Sequence, residues 1–258
     1  MKIGDYVTRK SYNNDIIFKI IDIDNNIYYL KGVSVRLLAD SPINDLVLCD
    51  VKRDIEDDRE FLNRIRDCKL ERDDYFYLPG KILHIDGDSD YLNKCLKYYE
   101  DINIMALGFV LNESDMPDKI LDLLNKYNPN ILVITGHDAY YKKKGDINNI
   151  DAYKNSKNFI ETVKNARKYE SSHQKLIIIA GACQSDYEDL IKAGANFASS
   201  PKRINIHALD PAIIASRMSM ADINSEINLK EIIENTKYGS KGIGGIITKG
   251  TMYRGYPR

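Results

Sequence analysis

Two residues of this chain have the types that do nucleophilic and proton-transfer chemistry, and each follows a run of branched apolar residues. Cys183 stands in Lys175-Leu-Ile-Ile-Ile-Ala-Gly-Ala-Cys-Gln-Ser185, and His137 in Asn130-Ile-Leu-Val-Ile-Thr-Gly-His-Asp138. Runs this short and this rich in β-branched residues read as strands buried on both faces. Gly136 precedes the imidazole and Gly181-Ala182 precedes the thiol. Such small residues permit a sharp turn and close approach by a substrate backbone. Open α/β sheets place their chemistry beyond the carboxyl ends of their strands. The two residues are 46 positions apart, the length of one crossover helix with its loops. Consecutive parallel strands would therefore bring thiol and imidazole together. A base within hydrogen-bond reach converts a thiol into the nucleophilic thiolate, and histidine exchanges protons near neutral pH. Alone, Cys183 reads as readily as a packing residue and His137 as a polar loop residue. The pair carries the argument.

The elements that must position this pair fall in the second part of the chain. From Lys81, strand and helix alternate. Lys81–Asp86 is the first strand, and Ser89 is the candidate cap of a helix marked by Leu92, Cys95, Leu96 and Tyr99. Ile104–Val110 is a second strand, and a helix with Ile120, Leu123, Leu124 and Tyr127 stops at Asn128-Pro129. After the His137 strand comes a helix from about Asn155 to Tyr169. Past Cys183 follow a short helix ended by Gly194, a strand over Ala195–Ser199, a helix opened by Asp210-Pro211, another over Leu229–Thr236 and a last strand over Gly242–Thr248. This alternation predicts an α/β fold with a mostly parallel, doubly wound sheet and helices on both faces over 80–258.

Residues 1–50 read differently, as all-β. Strands opening at Gly4, Asp15 and Ile27, with a turn at Asp24-Asn-Asn26, are joined by Val35–Leu38 and Asp45–Leu48. Five short strands in this length fit a small SH3-like barrel. Residues 51–79 mix both charges densely, with Ile55, Leu62, Ile65 and Cys68 at near-helical spacing, which predicts a charged helical linker ending at Leu78-Pro-Gly80.

Composition narrows the functional classes. A net charge of −1 gives no general attraction to nucleic acid or anionic membranes, so no nucleic-acid or membrane partner is expected. No apolar run approaches the roughly 20 residues of a spanning helix. The start, Met1-Lys-Ile-Gly-Asp-Tyr6, lacks the apolar core of a signal peptide and predicts a cytoplasmic protein. Four cysteines without CxxC spacing read as free thiols and support no zinc ribbon, and no metal or organic cofactor is called for.

Thr135-Gly-His-Asp138 followed by Gly181-Ala-Cys-Gln184 resembles the caspase-type cysteine peptidases, the group of the gingipain, clostripain and legumain relatives. More closely, the chain resembles the sporulation-specific proteases of endospore-forming bacteria, over Ile3–Lys10, His84-Ile-Asp-Gly-Asp88, Gly136–Asp138 and Gly181–Ser185. The resemblance implies a caspase-like fold, Cys183 as nucleophile and His137 as the acid that protonates the leaving amine. It implies an oxyanion hole from the backbone amides of Cys183 and Asp138. Asp138 stands where those enzymes carry glycine, and Gln184-Ser185 departs from the caspase pattern. It further implies a cysteine endopeptidase of the mother cell, associated with the spore coat, that processes spore-coat and other sporulation proteins after arginine. An arginine side chain wants a carboxylate, and Asp86 and Asp88 at the end of the first strand are the candidates, unless they only form a turn and cap.

Other readings stay open. A glutamine-amidotransferase-like hydrolase would need a histidine with an acidic neighbour downstream of the cysteine, and nothing there fits well. A non-catalytic flavodoxin-like regulatory module with an RNA- or peptide-binding barrel is the alternative, although the clustered basic and aromatic surface of such binders is lacking. His84 is expected in the core, His173 in a solvated loop, and His207 near the site. Lys142–Lys144 reads as a solvated loop, and Gly239–Gly245 precedes a strand, so it is no phosphate cradle.

Overall fold

A computed structural model describes residues 1–51, 59, 60, 62, 63 and 75–256. The chain divides into two compact units, Met1–Lys69 and Leu70–Arg258. In the first, Tyr6–Arg9 (β1), Phe18–Asp24 (β2), Ile27–Gly32 (β3), Leu38–Pro42 (β4) and Leu46–Leu48 (β5) form one antiparallel sheet in the order β4-β3-β2-β1-β5. Asn25 and Asn26 both take positive φ between β2 and β3, the geometry that matches a tight hairpin to strand twist. Val7, Phe18, Ile20, Leu30 and Leu46 make its core. The fourth strand starts at Leu38, later than expected. The Gly32 amide bonds the Leu37 carbonyl and the Leu37 amide the Val35 carbonyl, which spends Val35–Leu37 on a turn.

Most of the expected linker, including Ile55, Ile65 and Cys68, lies outside the described residues. Arg59, Glu60, Leu62 and Asn63 are helical. Phe76–Leu78 (β6), at the linker's end, is instead a strand paired with Tyr253–Gly255 (β13).

The second unit is α/β. Ile82–Asp86 (β7), Ala106–Val110 (β8), Ile131–Thr135 (β9), Ile177–Ala180 (β10), Phe197–Ser199 (β11) and Ile243–Gly245 (β12) form a sheet ordered β12-β11-β10-β9-β7-β8. Only β12 runs antiparallel to its neighbour. Between the strands lie Ser89–Asp101 (α1), Met116–Tyr127 (α2), Ser156–Tyr169 (α3), Tyr187–Ala193 (α4), Asp210–Met220 (α5) and Leu229–Glu234 (α6).

Side chains alternate across a strand, so a central strand needs cover on both faces. Leu83, Ile85, Leu132, Ile134 and Ile178 pack with Ile120 and Leu124 of α2 and Phe159 and Val163 of α3. On the other face α5 lies against β9 and β10, and the α1 residue Tyr98 bonds Ser216 of α5 at 3.1 Å. The cap of α1 is Asp88, whose carboxylate accepts the Asp90 and Tyr91 amides, with Ser89 as the first helical residue. Asp88 reaches two orphan amides of the first turn, which a hydroxyl one residue later would miss. Among the described residues no helix is long and apolar enough to cross a membrane.

Candidate active site

Strand register puts the predicted pair beyond neighbouring strands. Ile134 pairs with Ala180 in β9 and β10, and Asp86 with Thr135 in β7 and β9. Counting outward, Asp88, His137 and Cys183 occupy the same step beyond three adjacent strands, which run about 4.8 Å apart. Hydrogen bonds continue past the sheet edge, from the Gly87 amide to Thr135 and from the Gly181 amide to Ile134. The loops beyond them also join: the Tyr140 amide bonds Gln184 Oε1 at 3.2 Å, and Ser185 Oγ donates to Asp138 at 2.8 Å.

His137 sits between two carboxylates. Its Nε2 is 3.6 Å from Asp88 Oδ2 and its Nδ1 is 3.7 Å from Glu113 Oε1. Its amide donates to the same Glu113 oxygen at 2.8 Å, and its carbonyl accepts from Asn155 at 2.8 Å. The ring of Tyr91 lies against it, centroids 5.7 Å apart. Burial alone would raise the Glu113 carboxyl, but the ring and backbone N–H groups of His137 outweigh it and hold it below its ordinary value. Glu113 reaches this place because two glycines leave room. A Cβ on Gly136 would come within 2.6 Å of Glu113 Oε1, and one on Gly87 would overlap the same atom.

Cys183 is buried, with Sγ accepting the Ile206 amide at 3.3 Å. The chain turns sharply to present it: Gly181 takes φ +103° and Gln184 φ 60°. A left-handed non-glycine residue costs about 1–2 kcal/mol. Gln184 is held there by four bonds, its amide to Ser200 Oγ and the Ile204 carbonyl and its side chain to Tyr140 and Asn205.

Asp138 is 3 % exposed. Its Oδ1 accepts the Ala139 and Asn155 amides and its Oδ2 the hydroxyls of Ser156 and Ser185. Burial pushes its carboxyl up, and these donors pull it back. Its own amide has no acceptor among the described residues.

The other candidates divide. Asp86 is fully buried, with Oδ1 accepting the Asp88 amide at 3.0 Å. Asp88 caps α1 with one oxygen and faces His137 with the other, its side chain 12 % exposed. His84 is in the core as expected, with Nδ1 3.1 Å from Tyr99 Oη. His207 follows Ile206, which contacts the thiol, and its amide bonds Asp210 at 2.9 Å. His173 is half-buried beside Arg167 rather than solvated, and burial followed by that guanidinium lowers its pKa. Arg167 also bonds the carbonyls around this loop and so draws it in. Lys142–Lys144 is exposed. Glu113 went unnoticed in the sequence, inside a polar connection between β8 and α2. The rule that singled out residues just past strand ends would have found it, because it follows β8 as Asp88 follows β7.

A thiol and a carboxylate-flanked imidazole thus stand at matched positions beyond a parallel sheet. Residues 2–72 and 60–257 match the family described as YabG peptidase U57. The chain is also 46% identical over 285 residues to the sporulation-specific protease YabG of Bacillus subtilis (strain 168), covering 99% of this chain and 98% of that one. It belongs to the YabG peptidase family. It is a protease, and its substrates are proteins.

Proposed function

We propose that the chain is a cysteine endopeptidase of sporulation. His137 takes the thiol proton of Cys183, and the thiolate attacks the scissile carbonyl to form a C–S bond. The oxyanion is held by the amides of Cys183 and Asp138. The tetrahedral intermediate collapses with cleavage of the C–N bond, and His137 returns the proton to the leaving amine. Water then hydrolyses the thioester and regenerates the thiol. Asp88 and Glu113 orient the imidazole. One observation carries this reading: His137 and Cys183 stand at the same step beyond neighbouring parallel strands, their loops bonded to each other.

The substrates we infer are spore-coat and other sporulation proteins, cut after arginine on the mother-cell side of the forming spore. The name of the Bacillus relative ties that protein to sporulation. A caspase-like assignment for the second unit agrees with its parallel sheet order, and an SH3-like barrel for the first with its five antiparallel strands. For the arginine side chain, Asp88 keeps a partly exposed carboxylate, whereas Asp86 is closed off and supports Asp88 through its amide.

The test uses an arginyl-peptide reporter with wild type, Cys183→Ala and His137→Ala. Hydrolysis by wild type, lost in both variants, supports the dyad. A Cys183→Ala enzyme that still cleaves removes it, and a wild type that cleaves other peptides but not the arginyl reporter removes the arginine assignment. Asp88→Asn should raise KM for arginyl peptides; an unchanged KM and an unchanged preference dispose of the arginine assignment.

A further inference from the structure

The Asp138 side chain has no part in the chemistry proposed above, yet it is buried and accepts four hydrogen bonds. Four donors from three segments converge on it. The Ala139 amide comes from its own loop at 2.9 Å, and the Asn155 amide at 2.8 Å and the Ser156 hydroxyl from the start of α3. The Ser185 hydroxyl comes at 2.8 Å from the cysteine loop. Both serines are fully buried and are themselves acceptors. Ser185 Oγ takes the Ala182 amide at 2.9 Å, next to the nucleophile, and Ser156 Oγ takes the Asp186 amide at 2.8 Å. The network thus runs without interruption from the residue after His137 to the residues on both sides of Cys183.

Its chemistry is directional. A carboxylate only accepts, so each serine must spend its proton on Asp138 and is left to accept a backbone amide of the cysteine loop. The amide of Asp138 has no acceptor among the described residues. We propose that Asp138 is a positioning residue whose carboxylate clamps the His137 loop to the Cys183 loop and fixes the distance between the Asp138 and Cys183 amides. This rests on the thiol mechanism above and assigns the side chain a role that the oxyanion assignment leaves open.

Displacing catalytic groups by an ångström costs on the order of a hundredfold in rate. The test compares wild type, Ser185→Ala, Asp138→Asn and the double variant as full-length chains. Active sites are counted by stoichiometric labelling with a peptidyl acyloxymethyl ketone, so misfolded enzyme does not enter kcat. The clamp predicts a fall in kcat per labelled site of about tenfold for Ser185→Ala and about a hundredfold for Asp138→Asn, with KM unchanged. It also predicts that the double variant falls no further than Asp138→Asn, because both changes break one network. A merely structural role would reduce the number of labelled sites and leave kcat per site at the wild-type value, which overturns the proposal. Should Asp138→Asn fail to fold, Ser185→Ala decides alone, since it leaves three donors on the carboxylate. A Cys183→Ala enzyme that still hydrolyses the reporter refutes the thiol mechanism itself; wild-type kcat in Ser185→Ala beside a dead Cys183→Ala refutes only the clamp.

Discussion

His137 has a carboxylate facing each ring nitrogen, Asp88 across from Nε2 and Glu113 across from Nδ1. Carboxylates on both sides hold the ring in one orientation. His137→Ala should lower kcat by about 10² to 10⁴, read as reporter hydrolysis per folded enzyme. Glu113→Gln keeps an oxygen for the His137 amide but loses the charge, so kcat should fall by about ten- to a hundredfold with KM little changed. Glu113 also makes a pH prediction. Its folded pKa lies below its ordinary 4.5, so its contribution to stability is present above that pH and is lost as pH falls through the depressed value. Urea unfolding of wild type and Glu113→Gln should therefore differ more at pH 7 than at pH 4. An equal gap at both would remove Glu113 as an ionised partner of His137.

At the scale of elements, strand ends decide the site, and those were largely legible. The apolar runs before His137 and Cys183 marked β9 and β10, and the 46-residue interval implied one crossover between them. The register that aligns Asp88, His137 and Cys183 could not be read, because it depends on strand pairing between segments distant in sequence. Glu113 was hidden for a related reason: its partners, Gly87 and Gly136, belong to two other strand ends. The glycines themselves were legible as small residues, though not as room for a carboxylate. Gly181 is the sharpest case. With φ at +103° and a Cβ destined to lie 2.9 Å from Leu190 Cδ1, Gly181→Ala should destabilise the fold by about 1–3 kcal/mol. It should also lower kcat by moving the thiol. Calorimetry and reporter kinetics measure the two effects, and a variant with wild-type melting temperature and rate would show that the turn tolerates a side chain.

Among the described residues each of the two units has apolar residues of its own packed together. One gathers Val7, Phe18, Ile20, Leu30 and Leu46, the other Leu83, Ile85, Ile134, Phe159 and Ile178 with their neighbours. The change from all-β patterning to alternating strand and helix announced both. The charged stretch between them gave a weaker signal, and its last residues pair as β6 with β13 near the chain's end, a contact too distant to show in local spacing. Separate cores predict separable stability. Leu30→Ala, which empties a fully buried position of the small sheet, should cost that unit about 2–5 kcal/mol and lower one thermal transition while the unfolding of the α/β unit stays in place. A single transition shifted as a block would mean that the two units unfold together.

The central claim is that Cys183 is the nucleophile. Intact-mass and peptide mapping of the protein after treatment with an arginyl acyloxymethyl ketone tests it most directly. The account predicts one adduct per chain, on Cys183, formed much more slowly in His137→Ala. An adduct on Cys49 or Cys95 with Cys183 unmodified, or peptide cleavage that survives Cys183→Ala, would contradict it.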